Sequence, residues 1–370
     1  MVDYSSFWFP YSIIVLVAFV GFITPFILRE NILFGSRFPN EIINHPEVEN
    51  LKRNYKHLYL SIYIPFLLAL GLFLYYSPEN NYFLGGVIVE AVLLYLIYAV
   101  YNKKAKELKK ELLSQENYNT KKEVLTVDTK FREGKYIISI WWFLPSLIII
   151  LLNIFILFHN YNKIPDQIIL HFNLEGVATG LTNKSYLHVL IIPLTSMLIL
   201  VAFLVMYFFI KMSKQELDSN KPVTSKLRDR YFRLIWSDYA VILCTMLVAW
   251  MFFVSLHIDK LLVISGNAFE IFNIAIPFLI ISSTLILTLK TGQSGSKLRI
   301  KANELATGMN NVDDDSSWKF GMIYYNPHDP SIFVQKRMGI GWTVNMGRPA
   351  GIVILIALIV IPIIWGIISK

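Results

Sequence analysis

Eight apolar runs, each about as long as a membrane-spanning helix, constrain the fold of this chain more than any other feature of its sequence. A hydrocarbon core of roughly 30 Å takes about 20 helical residues to cross. The runs are 7–28, 58–76, 83–101, 137–158, 187–210, 238–258, 269–289 and 350–368. Barrel strands would be shorter and would alternate, so helices are the expected way to satisfy these backbones in lipid. The predicted fold class is an all-α integral membrane protein with about eight transmembrane helices.

The basic residues are distributed unevenly around these runs. Of the 34 Lys and Arg, 30 fall in segments 29–57, 102–136, 211–233 and 290–349. The other four are Lys163, Lys184, Lys260 and Lys370. The positive-inside rule predicts a multi-pass protein of the cell membrane with these four segments in the cytoplasm and both termini extracellular. Loops facing anionic lipid explain the net charge of +8, so no nucleic-acid partner is expected.

Spans and composition together divide the chain into five parts. Residues 1–136 hold three predicted transmembrane helices and two basic cytoplasmic loops, and 137–210 hold two helices that flank a polar outer loop. Residues 211–290 are predicted to form a transmembrane hairpin. Residues 291–317, rich in Gly, Ser, Asn and Asp, are interpreted as a polar linker. Residues 318–370 combine a cytoplasmic module with the last helix.

Two of the loops are predicted to contain small β-hairpin-like elements. In the outer loop 159–186, the strand-prone run 168–173 is followed by the turn residues Glu175 and Gly176. In the cytoplasmic loop 318–349, strand-prone runs flank a turn rich in Asn, Pro and Asp.

Glu90 is the sharpest polar feature inside an apolar run. An ionisable side chain at that depth is costly and usually faces the bundle interior or water. It is either a carboxylate that responds to protons or a ligand, or a protonated or hydrogen-bonded group that joins helices. Asn153 and Asn273, in two other spans, are candidate partners for it.

The outer loop holds the candidate residues for ligand recognition, Asp166, His171, Asn173 and Glu175. Strand alternation places His171 and Asn173 on one face. Together with His188, the acidic and histidine side chains of this loop lack the spacing of a metal-binding motif, so no metal site is expected. His171 is interpreted as a hydrogen-bonding residue that holds the loop, with a pH-sensing role as the alternative.

No enzymatic motif stands out in this chain. The HExxH, Walker and G-x-S-x-G patterns are missing, as is the paired aspartate of intramembrane proteolysis. Gly339-Ile340-Gly341 lacks the third glycine of a phosphate-binding loop and is better explained by turns. We therefore expect a non-enzymatic protein without a cofactor.

The outer loop contains a distinctive pattern, which consists of Ile164-Pro165-Asp166-Gln167-Ile168, His171-Phe172-Asn173, Gly176 and Lys184-Ser185. With this pattern, the stretch from the end of the fourth span through the fifth resembles a known bacterial membrane module, domain of unknown function 1648. The module also occurs in the immunity proteins that protect Bacillus cells against a sporulation-delaying peptide toxin. The resemblance implies a bacterial plasma-membrane protein.

A second pattern lies in the loop before the last span and consists of Trp318-Lys319, Tyr324-Tyr325-Asn326-Pro327, Asp329-Pro330, Phe333-Val334, Lys336-Arg337, Gly339, Gly341, Asn345 and Gly347-Arg348-Pro349. It resembles domain of unknown function 5808, a small module that often accompanies the first. Immunity proteins of this type are usually shorter, so the extra spans and the second module depart from their pattern.

Two classes of function remain open. The first is a non-enzymatic protein for envelope-stress sensing or for immunity to a membrane-active peptide, with the outer loop recognising a peptide or envelope molecule. The alternative is a transporter or transporter subunit in which Glu90 and the two asparagines line a path. Sparse buried charge and the lack of a pair of broken spans favour the first class. The lipid bilayer is the expected partner in both.

Overall fold

The computed structural model describes residues 5–77, 80–115, 123–128, 130–172, 178–262, 265–300 and 302–368. Within these ranges the helices are α1 (Ser5–Ile23), α2 (Pro46–Tyr76), α3 (Asn80–Gln115), α4 (Leu144–His159), α5 (Tyr186–Met212), α6 (Pro222–Ile258), α7 (Gly266–Thr291) and α8 (Pro349–Ile368). Seven spans in this part of the chain, overlapping α2 to α8, are long and apolar enough to cross a membrane. The predicted class, a helical multi-pass membrane protein, is confirmed.

The first predicted span overlaps α1. In the described part of the chain the apolar helical stretch at this place is Tyr11–Phe26, which is not among the seven candidate spans. The count of eight transmembrane helices therefore stays a prediction.

Short strand pairs join or follow the helices. The strands are β1 (Ile32–Leu33), β2 (Ser36–Arg37), β3 (Glu123–Val124), β4 (Gln167–Phe172), β5 (Ala178–Asn183), β6 (Asn310–Asn311), β7 (Trp318–Lys319), β8 (Ile323–Tyr324), β9 (Phe333–Gln335) and β10 (Trp342–Val344). The pairs β1–β2, β4–β5, β7–β8 and β9–β10 are antiparallel, whereas β3–β6 is parallel. The two predicted hairpin-like regions are confirmed as antiparallel pairs at 167–183 and within 318–344.

The chain divides into two compact units, each assembled from separated stretches. Unit 1 comprises Met1–Thr129, Lys214–Asp229 and Thr288–Arg348. Unit 2 comprises Lys130–Ser213, Arg230–Leu287 and Pro349–Lys370.

In unit 1, tyrosines on one face of α2 hold α1 in place. Tyr55, Tyr59 and Tyr63 are spaced four residues apart, so they share a helix face. The Tyr55 hydroxyl donates to the Gly21 carbonyl (3.0 Å), and the Tyr59 hydroxyl donates to the Ala18 carbonyl (2.7 Å). Gly21 permits this approach, because a Cβ there would lie 2.6 Å from the Tyr59 hydroxyl. All three tyrosines are buried.

A tight turn between α1 and α2 also packs into the unit 1 core. Phe34 and Gly35 connect β1 to β2 with positive φ values of 47° and 79°, as a two-residue hairpin turn requires. Phe34 is completely buried, and its ring lies against Tyr55 and Tyr101. Asn102 on α3 donates to the Phe34 carbonyl (2.7 Å), which fixes the turn to that helix.

In unit 2, α4, α5 and α6 bury a shared apolar core. Phe143, Ile150, Leu200, Val241 and Val248 belong to it. α7 and α8 are attached through side-chain hydrogen bonds. The Tyr239 hydroxyl lies 2.7 Å from Thr284 Oγ1 on α7, and Trp365 Nε1 of α8 donates to Thr195 Oγ1 (3.0 Å).

Candidate functional site

The β4–β5 hairpin connects α4 to α5 in unit 2. Gln167 pairs with Asn183, Ile168 with Thr182, and Ile169 with Leu181. The register then shifts on either side of His171, which pairs with Gly180. A shift of this kind bends a hairpin and interrupts the simple alternation of its faces.

The base of the hairpin is anchored by apolar packing. Ile164 and Ile168 are buried at 2% and 3% exposure. They pack in one cluster with Leu157 of α4, Val189 of α5 and Ile258 of α6. Because one apolar stripe of the hairpin touches all three helices, the hairpin is a fixed part of the bundle end.

Lys184, which directly follows β5, binds the segment that directly precedes β4. Its backbone N–H donates to the Asp166 carbonyl and its Nζ donates to the Ile164 carbonyl, both at 2.8 Å. Nζ also lies 3.3 Å from the Asp166 carboxylate and 5.1 Å from the centre of the Tyr161 ring. Ser185 then caps α5 by accepting from the His188 N–H (3.2 Å).

The hairpin and the start of α5 present an exposed surface that combines apolar side chains with one carboxylate. Leu181, Tyr186 and Leu187 are 62%, 60% and 52% exposed. Tyr186 stacks on Tyr161 with ring centres 4.4 Å apart. The Asp166 side chain is fully exposed. We call these five residues the hairpin surface.

The predicted recognition residues are only partly covered by the structure. Asp166 lies on the hairpin surface. His171 is placed through its backbone in β4, but its side chain, together with Asn173 and Glu175, lies outside the described residues. His188 belongs to the cap of α5, where its Nδ1 is 3.0 Å from the Asn183 carbonyl.

Glu90 lies in the interior of unit 1, on α3. It is completely buried, and neither carboxylate oxygen has a hydrogen-bond partner in the described part of the chain. The Tyr63 hydroxyl donates to the Glu90 backbone carbonyl (3.3 Å), and the stacked rings of Tyr59 and Tyr63 are 4.1 Å apart. Tyr59 and Tyr63 are therefore the neighbours of Glu90 on α2.

The two asparagines predicted as partners of Glu90 lie in unit 2. Asn273 on α7 accepts from Trp250 Nε1 (3.1 Å), so it joins α6 to α7. Asn153 on α4 is 1% exposed, and its Oδ1 has no partner among the described residues.

A buried charge cluster in unit 1 was not anticipated. Lys109 of α3 lies 2.5 Å from Asp313 and 3.0 Å from Asp315. Arg37 Nε donates to Asp314 (3.0 Å), and Arg337 pairs with both Asp314 and Asp315. We call this cluster, Asp313–Asp315 with Arg37, Lys109 and Arg337, the aspartate clasp. It ties the aspartates of segment 291–317, which was interpreted as a polar linker, to β2, to α3 and to the segment after β9.

Basic neighbours stabilise the charged forms of two carboxylates, Asp315 of the clasp and Glu216 beside it. Burial by itself would raise the pKa of Asp315, but Arg337 and Lys109 outweigh it and hold that pKa at about 2. Burial likewise opposes the charge of Glu216, yet Arg29 and Arg37 hold its pKa at about 2. Arg29 also bonds to Gln335, and Gln335 donates to Asp229 (2.6 Å).

A polar cleft of about 440 Å³ adjoins this network in unit 1. Arg29, Arg37, Glu216 and Arg228 are among the residues that line it. Both arginines from the first loop are already engaged by carboxylates, so the cleft is bordered by satisfied ion pairs.

One feature of the sequence could have indicated that the clasp aspartates pair with basic residues. Three consecutive aspartates in a chain of net charge +8 call for basic partners. The partners lie more than 200 residues away in the cases of Arg37 and Lys109, and spacing along the chain carries no information about such pairs.

Comparison with known proteins identifies the two modules. Residues 148–197 match the model described as Domain of unknown function (DUF1648), and residues 327–352 match the one described as Family of unknown function (DUF5808). Both expected modules are confirmed, in the expected order. No curated protein matches the chain, and no solved structure matches it.

Proposed function

We propose that this chain is a non-enzymatic protein of the bacterial plasma membrane that recognises a membrane-active peptide or envelope molecule through the hairpin surface. The single observation that carries the proposal is the anchored hairpin at 167–183, with exposed Leu181 and Tyr186 beside the exposed carboxylate of Asp166. Apolar side chains next to an acidic group suit a ligand that is both apolar and cationic.

The orientation is part of the same proposal. The basic segments face the cytoplasm, and both termini and the hairpin face outward. The distribution of 30 of the 34 Lys and Arg over four segments supports it. On this arrangement the protein meets its ligand at the outer membrane surface, as immunity to a peptide or sensing of envelope stress requires.

Orientation is tested by labelling single cysteines in intact cells. Cys244 is the only cysteine and is buried, so Cys244→Ser provides the background. Leu181→Cys and Lys104→Cys are then exposed to a maleimide that cannot cross membranes. We expect labelling of the first variant and none of the second until the cells are opened. The reverse pattern contradicts the proposal.

Recognition is tested in a deletion strain challenged with cationic membrane-active peptides. The native gene should restore survival, whereas Leu181→Asn and Asp166→Asn should not. Asn162→Ala, an exposed change outside the hairpin surface, should restore it fully. Equal protection by all variants, at equal expression, rules out the hairpin surface.

A second candidate function rests on Glu90. Its carboxyl group is buried and has no hydrogen-bond partner among the described residues, and transporters use groups of this kind to bind protons. If the chain is a transporter or transporter subunit, Glu90→Gln abolishes activity while Leu181→Asn leaves it intact. The opposite outcome supports recognition by the hairpin.

A further inference from the structure

The interior of unit 2 contains two buried polar side chains with unpaired atoms. Asn153 of α4 is 1% exposed and Ser255 of α6 is completely buried. In the described part of the chain, Asn153 Oδ1 has no hydrogen-bond partner. Ser255 Oγ makes no well-formed hydrogen bond there either, but it lies close enough to the Asp259 carboxylate to stabilise its charge. An unsatisfied buried polar group costs about 1–3 kcal/mol, so each one calls for an explanation such as a bound water or ion.

Contacts between α4 and α6 place Asn153 and Ser255 at about the same height along the two helices. Ser146 Oγ lies 2.9 Å from Thr245 Oγ1. Toward the carboxyl ends of both helices, Leu157 and Ile258 share an apolar cluster, so α4 and α6 run parallel. Asn153 is two turns beyond Ser146 on the same face. It therefore lies within about one turn of Ser255, given 3.6 residues per turn.

α5 brings a main-chain oxygen to the same level. Pro193 is buried inside α5 and has no N–H, so the Val189 carbonyl loses its donor within the helix. Val189 is buried in the cluster that contains Leu157 and Ile258. In secondary transporters, main-chain carbonyls released from helical hydrogen bonding coordinate Na⁺.

Asp259 supplies the negative charge. It follows the end of α6 and is 2% exposed, and its backbone N–H donates to the Ser255 carbonyl (3.0 Å). Among the described residues it has no ion-pair partner. A buried carboxylate without a countercharge is strongly unfavourable.

We propose that Asn153, Ser255, Asp259 and the Val189 carbonyl form a binding site for a monovalent cation of the size of sodium. Amide, hydroxyl, carbonyl and carboxylate oxygens are the ligands that hard cations prefer. One carboxylate balances one positive charge, which favours a monovalent over a divalent ion. The site goes beyond the proposed recognition function, since it lies in the helices that support the hairpin and needs no peptide.

The experiment uses the full chain in lipid nanodiscs. The measurement is made at pH 8, which favours the charged form of a carboxyl group. Sodium replaces N-methylglucamine at constant ionic strength while thermal unfolding is followed. A cation that binds only the folded state raises the midpoint as its concentration passes Kd. We expect a rise of several degrees with sodium.

Matched variants locate the effect. Asp259→Asn should abolish the sodium-dependent rise, Ser255→Ala should shift it to about tenfold higher sodium, and Asn153→Leu should reduce it strongly. Ser237→Ala is the control, since Ser237 is equally buried but already bonds to Ile138 N–H and the Leu234 carbonyl. It should keep the full rise.

Direct binding provides a second measurement that does not depend on the stability of the variants. The native chain should retain about one radioactive sodium ion, with a Kd that Ser255→Ala weakens about tenfold, or about 1.4 kcal/mol. Equal midpoints in sodium and N-methylglucamine with no retained sodium would overturn the proposal and leave water in the site. A rise that persists in all three variants, or one that only a divalent cation produces, would overturn it as well.

Discussion

Arg337 Nη1 lies 2.5 Å from Asp315 Oδ1, and both side chains are almost entirely buried. The Arg337 guanidinium also lies over the Trp318 ring, 5.1 Å from its centre. A residue of the DUF5808 segment is thereby joined to a run of aspartates 22 residues earlier. The second module is thus an integral part of the unit 1 fold.

Loss of this pair should destabilise the protein. Arg337→Gln leaves the nearly buried Asp315 without its main partner and removes one of the two arginines that pair with Asp314. Breaking a buried pair costs about 3–5 kcal/mol. We expect a clearly lower thermal midpoint for the purified protein in detergent. Lys52→Gln is the matched control, because its pair with the exposed Glu49 belongs to a class that contributes about 0–1 kcal/mol. Similar midpoints for the two variants would contradict the structural role of the clasp.

Acid should weaken unit 1 in a defined pH range. The pKa of Asp315 falls from 3.8 to about 2 in the fold, because Arg337 and Lys109 outweigh the effect of burial. Its stabilisation is complete above pH 4 and is lost as the pH falls towards 2, and it amounts to roughly 2 kcal/mol. Thermal midpoints measured between pH 5 and pH 2 should fall for the native chain. They should fall less for Asp315→Asn, and parallel curves would refute this explanation.

Gly21→Ala should disturb the contact of α1 with α2 and α3. The added methyl group would lie 2.6 Å from both Leu94 Cδ1 and the Tyr59 hydroxyl, so these groups must move. Overpacking of this kind costs about 1–3 kcal/mol. Gly85→Ala on α3 is the control, because its methyl group would meet no atom within 4 Å. The first variant should unfold at a lower temperature and the second at the same or a higher one.

Glu90→Leu should preserve or raise stability. The native carboxyl group has no hydrogen-bond partner among the described residues, so an apolar side chain of similar volume removes an unfavourable burial. The measurement is the thermal midpoint of the purified variant. A large decrease would show that Glu90 makes a stabilising interaction. Under the transporter alternative, the same variant is stable but inactive.

Two substitutions in the hairpin should affect stability and recognition differently. Ile168→Ala removes a side chain that is 3% exposed, and a buried Ile→Ala change typically costs about 2–5 kcal/mol. Leu181→Ala, at 62% exposure, should leave the midpoint unchanged while it weakens peptide protection. Thermal unfolding and survival assays on the same pair of variants test this difference. If Leu181→Ala destabilises as much as Ile168→Ala, its side chain has a structural role.

Local features of the chain predicted a large part of this fold. The apolar runs gave helices at nearly the expected places, because a backbone in lipid has few alternatives. The 167–183 hairpin followed from strand-prone residues and turn glycines within one short segment. The register shift at His171 did not follow, because it depends on how β4 meets β5 and the helices below.

The burial of Glu90 was also foreseeable, whereas its surroundings were not. Position within an apolar run was sufficient to predict an interior carboxyl group. Asn153 and Asn273 were expected as partners, yet they belong to the other unit, and the neighbours of Glu90 are Tyr59 and Tyr63. Helix order along the chain does not specify which faces meet.

Hydropathy alone thus dictated a multi-pass helical protein, since the cost of burying an unpaired backbone in lipid depends only on nearby residues. The tertiary structure decided which charges meet. Arg37, Lys109 and Arg337 come from three separated segments. They meet at Asp313–Asp315 because the charges of the three basic side chains and of Asp315 are largely buried and therefore require partners. Each buried charge needs an opposite charge next to it in space. Since that partner is distant in the sequence, only the folded arrangement brings the two together.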